Sequence, residues 1–214
     1  MLFDLAVIQF AYHYSFETIE QATKMLENAS RNLREGGYFV GSTVNANKVI
    51  SRTLAQKKLK FGNEIFSIEF PEKALDYERV PLFGNTYQFR LHDVVDCPEF
   101  LVHFPTVVQI AKRFNLELHC HKRFEDYYLE NIDDQEKRRL LQRMNALKAF
   151  PLNDRTDLSD EQLAYEYAKA ANYQRANPQL DLNEVKRIGT ISRSEWEASC
   201  LYMVFAFKKV TPKK

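Results

Sequence analysis

Six consecutive residues, Gln9-Phe10-Ala11-Tyr12-His13-Tyr14, place three aromatic rings, an imidazole and a carboxamide in one loop after an apolar run. Such a loop is costly to leave in water unless it grips something flat. Two readings follow: the rings pack under the next helix, or they stack on a purine and read its edge. His119 and His121 fall on one face of a strand, a pair that binds a metal only if a third ligand converges. Glu99 stands three residues after Asp96, the spacing of a capping box. Tyr202 lies in an apolar strand, where plain core is one reading. Lys57-Lys58-Leu59-Lys60 reads as a solvated basic loop able to touch an RNA backbone. Lys137-Arg138-Arg139, beside Asp133, Asp134 and Glu136, reads as an exposed helix face laced with ion pairs. No Ser-His-Asp or paired-carboxylate arrangement is apparent.

The elements that must position these residues come from an ordinary globular composition. The chain has 214 residues, 30 Lys+Arg against 29 Asp+Glu, and a formal net charge of +1. Length alone allows one large domain or two small ones. Apolar residues make up 45%, with 16 Phe and 11 Tyr, enough for a real core and too many for a disordered chain. No apolar run approaches the ~20 residues of a membrane span. The start, Met1 to Leu5, lacks the basic region of a signal peptide. Cys97, Cys120 and Cys200 are far apart, odd in number and without C-x-x-C spacing, which predicts reduced, buried thiols of an intracellular protein and no zinc site. The six glycines include no G-x-G, so neither a dinucleotide fingerprint nor a P-loop is present.

Residues 3–10 are nearly continuously apolar, as in a strand buried on both faces. Ile19, Ala22, Leu26, Ala29 and Leu33 form a helical stripe, with Ser15 as the expected N-cap and Gly36-Gly37 as the expected stop. Residues 38–43 give a second strand, hence a parallel βαβ unit with a right-handed crossover. A helix over 45–56 and an antiparallel excursion with strands at 64–70 and 86–91 follow; the loop between them runs from Pro71 to Phe83. Asp96-Cys97-Pro98-Glu99 is expected to open a helix that Pro105 kinks. A strand over 116–121, a charged helical stretch through Leu147, and a helix over 163–173 after the Ser159-x-x-Gln162 capping box come next. A capped turn at Ser194-x-x-Glu197 and a strand over 200–207 end the chain. This alternation predicts a layered α/β domain. A strand as apolar as residues 3–10 belongs in the middle of a sheet, yet nothing precedes it, so the expectation is the carboxyl-terminal part (residues 1–214) of a larger domain.

Gln9-Phe10-x-x-His13-Tyr14-Ser15-Phe16 followed by Leu33-Arg34-Glu35-Gly36-Gly37-Tyr38-Phe39 resembles the middle of the eukaryotic mRNA cap guanine-N7 methyltransferases. The likeness continues, in order, through Phe61-Gly62-Asn63-Glu64-Ile65, Pro81-Leu82-Phe83-Gly84, Val94-Val95-Asp96-Cys97-Pro98-Glu99-Phe100-Leu101-Val102 and Ser194-Glu195-Trp196-Glu197-Ala198. The resemblance implies a partial class I S-adenosylmethionine-dependent methyltransferase (Rossmann-like) fold. By that likeness Gln9 and Tyr14 match cofactor-contacting positions, and His13, Glu99 and Tyr202 match those that hold the cap guanine. Phe10 matches a weaker apolar contact in the same pocket. The resemblance also implies capped RNA and a small activating subunit as partners, and a nuclear location. It implies no catalytic side chain, because guanine N7 has a lone pair and no proton to lose.

Two departures accompany it. The family's motif for the cofactor, a strand ending in a Gly-rich turn, has no counterpart in these residues, and Val44 stands where the family often has proline. A rival reading is therefore a non-catalytic cap- or partner-binding module derived from a methyltransferase.

Overall fold

A computed structural model describes residues 1–71, 81–152, 158–178 and 188–211. It begins with β1 (Phe3–Ile8), a 3-10 turn (Tyr12–Glu17), α1 (Ile19–Arg31), β2 (Leu33–Val44) and α2 (Ala46–Gln56). Four strands follow, β3 (Lys60–Gly62), β4 (Phe66–Glu69), β5 (Thr86–Leu91) and β6 (Val95–Phe100), then α3 (Phe104–Lys112), β7 (Leu116–Arg123) and α4 (Phe124–Asn131). The remaining elements are α5 (Gln135–Arg143), β8 (Lys148–Phe150), α6 (Asp160–Glu166), α7 (Ala168–Ala176), β9 (Ile188–Thr190), α8 (Arg193–Ser199) and β10 (Tyr202–Lys209). The chain forms two compact units, Met1–Tyr127 with Cys200–Lys214, and Tyr128–Ser199. Among the described residues no helix is long and apolar enough to cross a membrane.

The first unit holds a sheet in the order β1-β2-β10-β7 and an antiparallel sheet in the order β3-β4-β5-β6. β1 and β2 are parallel, joined through α1, as the apolar runs and the helical stripe predict. β10 runs antiparallel to both β2 and β7. The expected α/β fold with an antiparallel excursion is thus observed. One face of the larger sheet carries the core: Phe39, Phe205 and Phe207 pack with Leu26 of α1, Val107 and Ile110 of α3, and Tyr12 and Phe16 of the 3-10 turn. Each such ring removed from water contributes ~1.5–3 kcal/mol. Ala6 and Ile8 of β1 also lie on this core. Their neighbours Phe3, Leu5 and Val7 are about half exposed, at 48%, 53% and 55%. The strand expected to be buried on both faces is therefore covered on one, because β1 is the edge of its sheet and no described element packs over its other side.

Several boundaries differ from expectation for identifiable reasons. The N-cap of α1 is Thr18, in a capping box with Gln21; Ser15 lies inside the 3-10 turn and donates to the Tyr12 carbonyl. Gly36-Gly37 does not stop the helix, which ends at Arg31. Both glycines lie within β2, where Phe3 pairs with Leu33 but Leu5 pairs with Tyr38, and Gly36 at φ +76 lets the extra residues bulge out. Residues 95–100 are a strand and not a helix start. Pro98 is tolerated there because β6 is a sheet edge, and Asp96 accepts from Gln88 and Arg90 across the hairpin instead of capping. Pro105 sits in the first turn of α3, where it opens the helix without kinking it. Lys60, expected in a basic loop, starts β3 and pairs with Glu69. Most of the loop expected between Pro71 and Phe83 lies outside the described residues.

Gly41 is required by close approach. A Cβ there would come 2.5 Å from both the Ile8 carbonyl oxygen and the Phe205 ring. Gly41→Ala is expected to destabilise the first unit by about 3 kcal/mol, measured by urea unfolding of soluble protein against exposed Ser51→Ala. An unchanged midpoint would contradict this packing.

The charged stretch is two helices, α4 and α5, separated at Asp134, which caps α5 by accepting from Glu136 and Lys137. Arg139–Glu136 and Lys137–Asp134 ion pairs line the exposed face of α5, as its charge pattern predicts. The helix expected over 163–173 breaks at Tyr167 into α6 and α7, with the Ser159–Gln162 box at its start. The predicted cap at Ser194-x-x-Glu197 is instead Ser192 with Glu195, and Ser194 donates through its backbone and hydroxyl to Glu166.

Candidate functional site

Beyond the carboxyl end of β1 the chain turns into the 3-10 segment, which buries Tyr12 and His13 and leaves Phe10 and Tyr14 about half exposed. The hairpin β5–β6 brings Tyr87 opposite Glu99 and Phe89 opposite Cys97. Cys97 and Glu99, two residues apart on a strand, share one face. These segments converge on a buried carboxylate. Glu99 is 3% exposed; the Tyr87 hydroxyl donates to its Oε2 at 2.7 Å, and His13 Nε2 stands 3.2 Å from its Oε1. That approach is close enough for an ion pair but lacks hydrogen-bond geometry, and His13 Nδ1 also has no partner. An imidazole 1% exposed with neither nitrogen in a hydrogen bond is rare in a native interior.

Aromatic rings wall this polar group. Tyr202, on β10, meets Phe10 edge to face at 4.9 Å, Phe124 at 5.8 Å and Phe89 at 6.5 Å. His13 packs on Tyr14 at 4.3 Å, and the Tyr14 hydroxyl lies 3.3 Å from Cys97 Sγ. Burial, and then the Glu99 charge, push the Tyr202 phenol well above its ordinary pKa. Tyr14 is raised too, first by its hydrogen bond to Cys97. Both phenols stay protonated and able to donate at neutral pH.

The structure therefore brings His13, Tyr14, Glu99, Tyr202 and Phe10 together from three separate parts of the sequence. Gln9 stands at the rim, its Oε1 accepting from the Ser42 hydroxyl at 2.7 Å. The capping reading of Glu99 is excluded by its strand, and Tyr202 is only partly buried. The two strand histidines serve elsewhere: His121 stacks on Phe104 at 4.2 Å, and His119 meets Tyr38 edge-on. Among the described residues no group of three or more His, Cys, Asp or Glu is placed to hold a metal ion. The three cysteines are free thiols, but of the expected buried set Cys97 and Cys120 are partly exposed; Cys200 is buried, which raises its thiol to about 11.

Sequence reasoning missed Tyr87, Phe89 and Phe124. The alternation Thr86-Tyr87-Gln88-Phe89 places both rings on one strand face, but only the hairpin register puts Tyr87 against Glu99. Tyr87→Phe keeps the ring and removes the donor to Oε2. It is expected to cost about 1–3 kcal/mol, the penalty for stripping a hydrogen bond from a buried charged group. Urea unfolding measures this, and a stability equal to that of the unsubstituted protein would show that Glu99 does not depend on the phenol.

Fold and site together define an α/β protein with a buried, hydrogen-bonding cluster ringed by aromatic side chains at the carboxyl end of its parallel strands, where open sheets of this kind take their ligands. Residues 1–210 match the mRNA (guanine-N(7))-methyltransferase domain, and the chain belongs to that family. It is 42% identical over 208 residues to an mRNA cap guanine-N(7) methyltransferase of Drosophila melanogaster, covering 96% of this chain and 45% of that protein. It is 36% identical over 210 residues to the protein of the same name from Caenorhabditis elegans, covering 97% and 53%. The chain thus spans about half the length of these relatives.

Proposed function

We propose that this chain is the carboxyl-terminal part of an mRNA cap guanine-N7 methyltransferase and that its pocket holds the cap guanine. The observation that carries the reading is the buried His13–Glu99–Tyr87 array, with an imidazole that makes no hydrogen bond, inside an aromatic wall. Guanine presents N1–H and an exocyclic amine side by side, and a carboxylate accepts both. With Oε2 already engaged by Tyr87, an oxygen has a second lone pair to offer. His13 donates to guanine O6, and Tyr202 and Phe10 offer ring surface. All three polar contacts use the edge away from N7, so the nucleophile stays free.

Gln9 and Tyr14 are the residues of this chain that would hold S-adenosylmethionine, their carboxamide and phenol suiting a polar zwitterion. When bound it supplies an electrophilic sulfonium methyl. The pocket contributes position: it fixes the base so that the N7 lone pair points along one line, and it excludes water from that approach. No general base is required, since N7 gives up no proton. The same reading places the protein in the nucleus, with capped RNA as substrate and a small activating subunit as partner.

The test is methyl transfer to GpppG by a chain in which these residues follow the cofactor-binding half of the domain. Transfer to N7 is expected. Cap binding without transfer in such a chain would favour a non-catalytic cap-binding module.

A further inference from the structure

Phe10 is the one residue of the aromatic wall whose backbone is strained. Its φ is +53, in the left-handed region that a bulky side chain rarely adopts. Its ring nevertheless reaches Tyr202 and Phe124 from that corner. Such a conformation persists only where its surroundings impose it. The polar group that holds its backbone is the Ser42 hydroxyl, on β2 and 0% exposed. Ser42 Oγ accepts from the Phe10 backbone N–H at 3.1 Å and donates to Gln9 Oε1 at 2.7 Å.

The direction of the first bond is forced, since a backbone N–H can only donate and the hydroxyl oxygen must accept there. The hydroxyl proton is then given to the Gln9 carboxamide oxygen. That proton in turn fixes the carboxamide: the oxygen faces Ser42 and the NH2 remains as the donor. One buried hydroxyl thus sets both the left-handed turn that aims Phe10 and the orientation of the neighbouring amide.

We infer that Ser42 is a positioning residue that couples the cofactor side of the site, through Gln9, to the guanine side, through Phe10. The inference rests on the cap-methyltransferase reading for the identity of the two ligands. Its consequence is that removing one hydroxyl, which touches neither ligand, weakens both.

The experiment measures binding of GpppG and of S-adenosylhomocysteine by calorimetry, in the chain carrying the cofactor-binding half. Ser42→Ala is expected to weaken each ligand about 10-fold, the scale of one lost hydrogen bond. Ala is smaller than Ser and introduces no clash, so the fold is retained. Ser42→Thr, which keeps the hydroxyl, is expected to restore both affinities. Thr43→Val is the control: Thr43 is also fully buried on β2, but its hydroxyl has no partner among the described residues, and both affinities should stay unchanged. Either ligand binding Ser42→Ala within twofold of the unsubstituted chain overturns the inference. So does a Ser42→Thr chain as weak as Ser42→Ala, or an equal loss in Thr43→Val. Failure of the unsubstituted chain to bind either ligand refutes the cap reading itself, and this coupling with it.

Discussion

Glu99→Gln is expected to lower methyl transfer to a GpppG substrate by ~10⁴-fold, the scale on which a site built to pair with polar groups rejects a mismatch. The substitution is nearly isosteric, and the new amide oxygen can still accept from the Tyr87 hydroxyl that now holds Oε2. What changes is the other arm. An NH2 would then face one of guanine's two donors, placing donor against donor in a water-poor site. Because Glu99 lies on a strand and caps nothing, the large effect cannot be assigned to a damaged helix start. The exposed Glu17, which bonds Gln21 on the surface, provides the comparison, and Glu17→Gln should leave transfer unchanged. The measurement is steady-state transfer with thermal melting alongside. Near-normal turnover of GpppG by folded Glu99→Gln would remove this residue from the site.

Residues 1–214 expressed alone are expected to aggregate. β1 offers an open strand edge, and Phe3, Leu5 and Val7 stand about half exposed along one of its faces. An exposed apolar edge strand templates pairing with further copies. The double substitution Leu5→Lys, Val7→Lys places charge on that face without touching Ala6 or Ile8, which point to the core. It should move most of the protein from the pellet to the soluble fraction. A monomeric, cooperatively unfolding product from the unsubstituted chain would show that β1 needs no further cover.

Much of this arrangement is legible in the residues. The continuous apolar run of β1 and the three-and-four spacing of α1 establish the βαβ unit, since burial demands those periods. The candidate site residues His13, Glu99 and Tyr202 are reached through resemblance; their types alone leave core or capping readings open. The misplacements share a cause. Ser15 in a tight turn and Asp96 before Pro98 present the same local chemistry as helix starts, and only the tertiary setting separates them. For Asp96 that setting is the edge hairpin, which pairs it with Gln88 and Arg90. Gly36-Gly37 similarly reads as a stop or as a bulge, and the pairing of Leu5 with Tyr38 decides. Tyr87 and Ser42 are not legible because their contacts arise from cross-strand register and from the turn at Phe10, neither of which is written in local spacing.

In the proposed site guanine is read by its donor edge while N7 stays free. The most direct measurement compares methyl transfer to GpppG with transfer to a cap whose base is inosine, which keeps N7, O6 and N1–H but lacks the exocyclic amine. Both reactions use the chain carrying the cofactor-binding half, with the product mapped to the modified nitrogen. The expected result is N7 methylation of GpppG and a loss for the inosine cap that shrinks sharply in Glu99→Ala, which has no carboxylate to leave unpaired. Equal rates on the two caps, or methylation at a nitrogen other than N7, would contradict it.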